Sequence, residues 1–164
     1  MKETVYILGT RHRFQGTYTL SNRATKTQLK EFKVYLRGLI DRHEVCAIAE
    51  EMSIEALKKY PHPDLPSGES VPFQVAKELG LAHKYCCPPD RATRDRLGLS
   101  PDGRLGTPKD NEKRETYWLE QLEKLDSFPC LFVLGIIHVT SFSNLLEKSG
   151  YKSEIVNAEW KPNR

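Results

Sequence analysis

The fold is indicated most clearly by a short stretch near the end of the chain, Cys130–His138, which reads CLFVLGIIH. Its first five residues form a nearly continuous apolar run, which is typical of a parallel β-strand buried on both faces. Gly135 then permits a sharp turn, and His138 follows three residues later. The same order of features occurs near the start of the chain, where the strand-like run Thr4–Leu8 precedes Gly9 and His12.

Further strand-like runs lie between these two and after them. They are predicted at Glu44–Ala49, at Ala82–Cys86 and, more weakly, at Lys152–Val156. Helical patterns separate the runs, with apolar residues three and four positions apart. The predicted helices are Thr27–Arg42, a short one capped by Ser53, one from Ser70 to Gly80, Asn111–Leu125, and one from Ser141 to Gly150. This alternation predicts an α/β fold, a mainly parallel, Rossmann-like sheet of four or five strands with helices on both faces.

Composition sets broad limits on the kind of protein. The chain has 164 residues, 38% of them hydrophobic, which suits a single α/β domain over 1–164. A formal net charge of +3 does not by itself indicate a nucleic-acid or membrane partner. No apolar stretch approaches the length of a membrane span, and the four cysteines suit a reducing compartment, so we expect a cytoplasmic protein with no membrane partner.

Chemically versatile residues follow the predicted strands. In an open parallel sheet, ligands bind beyond the carboxyl ends of the strands. His12 follows the first strand, the pair Glu50 and Glu51 the second, Asp90 the third and His138 the fourth. We therefore predict that the two Gly-x-x-His motifs are two halves of one site.

Individual roles at this edge can be assigned by residue type. Gly9 and Gly135 would let a cofactor or ligand approach the backbone. Strand alternation allows only one of the two glutamates to face the site, and Glu50 is favoured. Arg11 and Arg114 are the candidates for binding a carboxylate or phosphate. Asp90 is a weaker candidate.

The set of motifs resembles the TraB/Tiki superfamily, which includes erythromycin-esterase-like and ChaN-like proteins. The residues that carry the resemblance are Gly9, Thr10 and His12, then Glu50 and Glu51, then Gly135 and His138, and the segment 138–151 looks like the family's closing helix. The resemblance implies a hydrolase-type site at the sheet edge. Tiki-like members are metal-dependent proteases, erythromycin-esterase-like members activate water with a histidine, and ChaN-like members bind haem. This chain is shorter than most members, so the substrate class does not carry over.

Two chemical uses of the predicted site stay open at this stage. His12, Glu50 and His138 could hold a divalent metal such as Mn, Zn, Co or Fe, which would activate water. Alternatively, a histidine oriented by a glutamate could act as the general base, with an arginine stabilising the oxyanion. The metal-assisted hydrolase is slightly preferred, acting on a small-molecule or peptide substrate.

Other classes of function compete with the hydrolase. One is a non-catalytic protein that binds or senses an anion, a nucleotide or haem at the same edge. Another is a phosphodiesterase or nuclease, which the low net charge disfavours. A third is a thiol nucleophile formed by Cys86 or Cys87 with His83, although no helix N-terminus is clearly placed to lower the thiol pKa. A homo-oligomer is compatible with each of them.

Overall fold

A computed structural model describes residues 2–17, 22–99 and 107–164. It contains one five-stranded sheet in which every pair of neighbouring strands is parallel. The strands are β1 (Thr4–Thr10), β2 (Ala47–Glu50), β3 (Ala82–Tyr85), β4 (Cys130–Gly135) and β5 (Lys152–Asn157). Their order across the sheet is β3-β2-β4-β1-β5. The predicted parallel α/β sheet is confirmed.

In the part of the chain that the structure describes, seven α-helices connect and flank the strands. They are α1 (His12–Gln15), α2 (Lys26–His43), α3 (Ile54–Lys59), α4 (Val71–Leu79), α5 (Arg91–Arg96), α6 (Pro108–Leu125) and α7 (Val139–Lys148), the last preceded by a 3-10 turn at Ile136–His138. Side-chain caps fix several starts, as when Ser53 and Ser70 accept hydrogen bonds from the backbone of α3 and α4. The short helices α1 and α5 were not predicted, because their sequences, HRFQ and RATRDR, contain no apolar residues at helical spacing.

Side chains of the strands divide between two helical layers. On one face, Leu8 and Ile48 pack with α2 and α4; on the other, Ile7 and Ala49 pack with α6 and α7. Successive residues of a strand point to opposite faces, so the pleat alone assigns each strand residue to a layer. This two-sided burial explains the continuous apolar character of the central strands, and it confirms helices on both faces.

The two strands that end in Gly-x-x-His are direct neighbours. In the register of β1 and β4, Gly9 pairs with Leu134 and Thr10 pairs with Gly135. The register therefore brings the two motifs to the same point on the carboxyl edge of the sheet. Among the described residues, no helix is long and apolar enough to cross a membrane.

The segment after β5 crosses the end of β1, and this crossing explains why residue 9 is a glycine. The backbone N–H of Trp160 donates to the carbonyl of Gly9 at 2.8 Å, and the Trp160 ring packs against the rings of Phe14 and Phe32. A Cβ at Gly9 would stand 2.0 Å from the carbonyl oxygen of Ala158. The expected cofactor-binding role of Gly9 is therefore corrected: the crossing chain occupies the space that the missing side chain leaves.

We expect Gly9→Ala to lower the free energy of unfolding by about 2 kcal/mol or more, because the methyl group would overlap a backbone carbonyl that cannot easily move. Gly38→Ala is the matched control. Gly38 lies within α2 with open space around its Cβ position, so its replacement should raise stability by about 0.5–1 kcal/mol. Urea unfolding of both variants checks this, and a Gly9→Ala protein as stable as wild type would contradict it.

Candidate functional site

Both histidines of the repeated motif converge on one carboxylate. The chain leaves β1 after Thr10 and places His12 at the start of α1, while β4 runs through the 3-10 turn to His138. Nε2 of His12 lies 3.5 Å from Oε2 of Glu51, and Nε2 of His138 lies 3.8 Å from the same oxygen. The structure thus brings together the two motif histidines and a strand-end glutamate.

Two further donors hold the Glu51 carboxylate. The backbone N–H of Gly135 donates to Oε1 at 2.8 Å, and the guanidinium of Arg114 donates to Oε2 at 2.8 Å. A Cβ at Gly135 would lie 3.0 Å from Oε1 of Glu51 and 3.3 Å from Nε2 of His12. The missing side chain at Gly135 therefore lets the Glu51 carboxylate reach the backbone N–H. The cofactor expected there from the sequence would have to share this space with Glu51.

Glu51 and His12 form an ion pair. Burial would raise the pKa of Glu51, but the charge and hydrogen bond of His12, followed by the charge of Arg114, outweigh it and lower that pKa to about 2. Burial would likewise lower the pKa of His12, but the Glu51 carboxylate and the hydrogen bond to Gln15 raise it well above 6.5. The His12 side chain is 46% exposed, so solvent screens part of this attraction. At neutral pH, Glu51 is ionised and His12 is an imidazolium.

His138 is held from behind by a second glutamate. Its Nδ1 lies 2.8 Å from Oε1 of Glu115, which also accepts a hydrogen bond from the hydroxyl of Ser141. A carboxylate only accepts, so Nδ1 of His138 carries the proton and a neutral ring keeps a lone pair on Nε2. The His138 side chain is 2% exposed and packs edge-on against Trp118. Glu115 therefore fixes both the tautomer and the orientation of the ring.

The preference for Glu50 over Glu51 is wrong. Glu50 is buried and accepts hydrogen bonds from the hydroxyl of Ser70 at 2.7 Å and from the amide of Gln15 at 3.2 Å. Nε2 of His83 also lies 2.7 Å from it. Glu50 is two residues after Ile48 and so belongs to the face that carries α4. The predicted trio of His12, Glu50 and His138 therefore does not exist as a contact group; Glu51 takes the place of Glu50.

Two weaker candidates lie away from this group. Arg11 lies 3.7 Å from Glu159 in the segment after β5, with its side chain 52% exposed. Asp90 is exposed and caps α5 by accepting the backbone N–H of Thr93 at 2.7 Å. Neither has a described contact with Glu51. Asp90 was predicted from its position after a strand, and Arg11 from the ability of an arginine at the sheet edge to bind an anion. In the structure, Arg11 contacts Glu159 and Asp90 caps α5.

Sequence reasoning missed Glu115 and Gln15. Glu115 lies on the buried side of α6 with Trp118 and Leu122, at helical spacings of three and seven. An acidic residue in the apolar stripe of a helix was the signal that could have found it. Gln15 lies three residues after His12 and contacts both Glu50 and the ring of His12. No sequence signal distinguishes it, since α1 is a single turn.

The thiol alternative does not fit the structure. Burial raises the pKa of Cys86 well above its usual range, and burial, followed by the Glu51 charge, raises that of Cys87 to about 12. His83, the proposed base, binds Glu50 instead. Both thiols are therefore held in the protonated form, which is a poor nucleophile.

A metal ion fits the Glu51 group poorly. Across residues 2–17, 22–99 and 107–164, no group of three or more His, Cys, Asp and Glu has the arrangement of a metal site. Imidazole and carboxylate are suitable donors, but both oxygens of Glu51 already accept hydrogen bonds. A metal at Oε2 would also lie beside the guanidinium of Arg114 and the imidazolium of His12.

Comparison with known proteins adds no identification. No family model, no curated protein and no solved structure matches the chain. The resemblance to the TraB/Tiki superfamily therefore stays a prediction, as do the cytoplasmic location and the oligomeric state.

We expect Glu51→Gln to lower the pKa of His12, because the carboxylate whose charge and hydrogen bond raise that pKa is lost. The measurement is an NMR titration of the His12 ring protons. Glu115→Gln is the control, since Glu115 contacts His138 and should leave the His12 titration unchanged. An unaltered His12 pKa in Glu51→Gln would contradict the ion pair.

Proposed function

We propose that this chain is a hydrolase whose own side chains, without a metal, activate a water molecule. The activated water attacks a carbonyl group of the substrate. The observation that carries the proposal is the convergence of two histidine Nε2 atoms on one buried, arginine-bound carboxylate. Together these groups can supply a base, an acid and an electrostatic stabiliser.

The base of the proposed reaction is His138. Its Nε2 and Oε2 of Glu51 are both acceptors and lie 3.8 Å apart, which is too far for a direct hydrogen bond. A water molecule between them would donate one proton to each and direct a lone pair outward. On attack, the water proton passes to Nε2 of His138, and Glu115 stabilises the imidazolium that forms.

The positive groups lie on the other side of Glu51. His12 is the most exposed member of the group, so its imidazolium is the natural contact for an incoming carbonyl oxygen. With Arg114, it would stabilise the tetrahedral oxyanion. When the intermediate collapses, the bond from carbon to the leaving group breaks and His12 supplies the leaving group with a proton. The resting state is restored when His138 loses its extra proton to solvent and His12 takes one up from solvent.

Charge balance favours a neutral carbonyl over a phosphodiester. Glu51 and Glu115 are negative, while Arg114 and His12 are positive, so the contact group is neutral before substrate binds. A phosphodiester would bring a negative charge that no unpaired cation of this group receives. An ester, thioester or amide of a small molecule or peptide avoids that cost. The metal-assisted version is supported less well, because Arg114 occupies the same carboxylate oxygen.

We expect the wild-type protein to hydrolyse activated esters such as p-nitrophenyl acetate, and His138→Ala to lower kcat/KM by about 100-fold or more, because the base is lost. His12→Ala should also abolish most of the activity. His43→Gln is the control, since His43 lies at the end of α2 beside Tyr6 and has no described contact with the Glu51 group. Circular dichroism checks that each variant is folded.

Metal dependence separates the two hydrolase mechanisms. The proposed mechanism predicts full activity after dialysis against EDTA and no stoichiometric metal by elemental analysis. A divalent metal bound by wild type, lost in His138→Ala and required for turnover, would overturn the metal-free mechanism in favour of the metal-assisted one. Full activity in either histidine variant would overturn the shared site. If the protein hydrolysed no ester, thioester or amide, that result would favour a non-catalytic ligand-binding protein.

A further inference from the structure

A buried glutamine links the two acidic groups at the edge of the sheet. Gln15 ends α1, the single helical turn that His12 begins, and its side chain has no solvent exposure. Its Oε1 lies 2.8 Å from Nδ1 of His12, and its Nε2 lies 3.2 Å from Oε1 of Glu50 and 3.4 Å from the backbone carbonyl of Glu51. The amide is thus in contact with three polar groups from two different strand ends.

The orientation of this amide follows from its partners. The Glu50 carboxylate and the Glu51 carbonyl only accept hydrogen bonds, so both require the NH₂ group of Gln15. The amide oxygen is then left to face His12, and an oxygen can only accept. Nδ1 of His12 must therefore donate, which directs Nε2 of the ring toward Glu51.

Glu50 is itself held in place and cannot follow a rotating amide. Its Oε2 accepts from the hydroxyl of Ser70, which also caps α4, and lies 2.7 Å from Nε2 of His83 on β3. A buried acceptor fixed by two separate elements gives the Gln15 amide one favourable orientation. Turning the amide over would place its oxygen against a carboxylate.

We propose that Gln15 is a positioning residue of this site, which holds the exposed His12 ring in the orientation that pairs Nε2 with Glu51 and presents it to the substrate. This inference rests on the proposed hydrolase. In this proposal Glu50, which the sequence analysis had placed in the site, instead holds the Gln15 amide by accepting its hydrogen bond from the opposite face of the sheet. His12 needs such support because its side chain is 46% exposed and lies on a helix of only four residues.

NMR of the free protein tests the contact without any substrate. With ¹⁵N-labelled histidine at neutral pH, we expect a slowly exchanging Nδ1–H signal of His12 in wild type and its loss in Gln15→Met, which keeps the length but removes the acceptor. Gln74→Met makes the same change on α4, next to Glu69 rather than His12, and should keep the signal. Absence of the protected signal in wild type would overturn the inference even if Gln15→Met failed to fold.

Kinetics with p-nitrophenyl acetate tests the positioning role. We expect Gln15→Met to lower kcat by about 10- to 100-fold with KM changed less than about twofold, because a loosely held acid is misplaced in the transition state. Loss of the Nδ1–H signal with wild-type kcat would overturn the role of Gln15. No turnover by wild type would overturn the proposed function, while the NMR result would still decide whether Gln15 orients His12.

Discussion

The arrangement of the site depends on one buried carboxylate, that of Glu51. An ionised carboxylate inside a protein must recover the hydration that it loses, and a single hydrogen bond does not suffice. Glu51 recovers it from the Gly135 N–H, the Arg114 guanidinium and the His12 imidazolium. These partners come from β4, α6 and the turn after β1, so satisfying one charge fixes the relative positions of three elements around the end of β2.

The pleat of β2 separates two neighbouring glutamates by function. Glu50 points into the layer that contains α4, where Ser70 and His83 hold it. Glu51 lies at the next position and meets α6 on the opposite side. A pair of adjacent acids would repel strongly if both faced one site, and the alternation of a strand avoids that repulsion at no cost. Gln15 passes around the edge between the two groups and connects them.

The two motif glycines look alike in sequence and differ in purpose. At Gly9 the missing side chain makes room for the backbone of Ala158, so the glycine serves the packing of the segment after β5. At Gly135 it makes room for the carboxylate of Glu51, so the glycine serves the site. In both positions the constraint is the close approach of another group. Neither glycine has a positive φ.

The sequence by itself determined the strands, the longer helices, the parallel sheet and the shared edge on which the two Gly-x-x-His motifs lie, because periodicity and strand-end position are local properties of the chain. Tertiary structure decided that β1 and β4 are neighbours, so that the two motifs meet. Tertiary structure alone decided that Glu51 rather than Glu50 faces His12, and that Gln15 and Glu115 support the histidines. Those choices depend on strand order, on the phase of each pleat and on how helices dock on the sheet. A contact between side chains far apart in the sequence leaves no periodic signal in either segment.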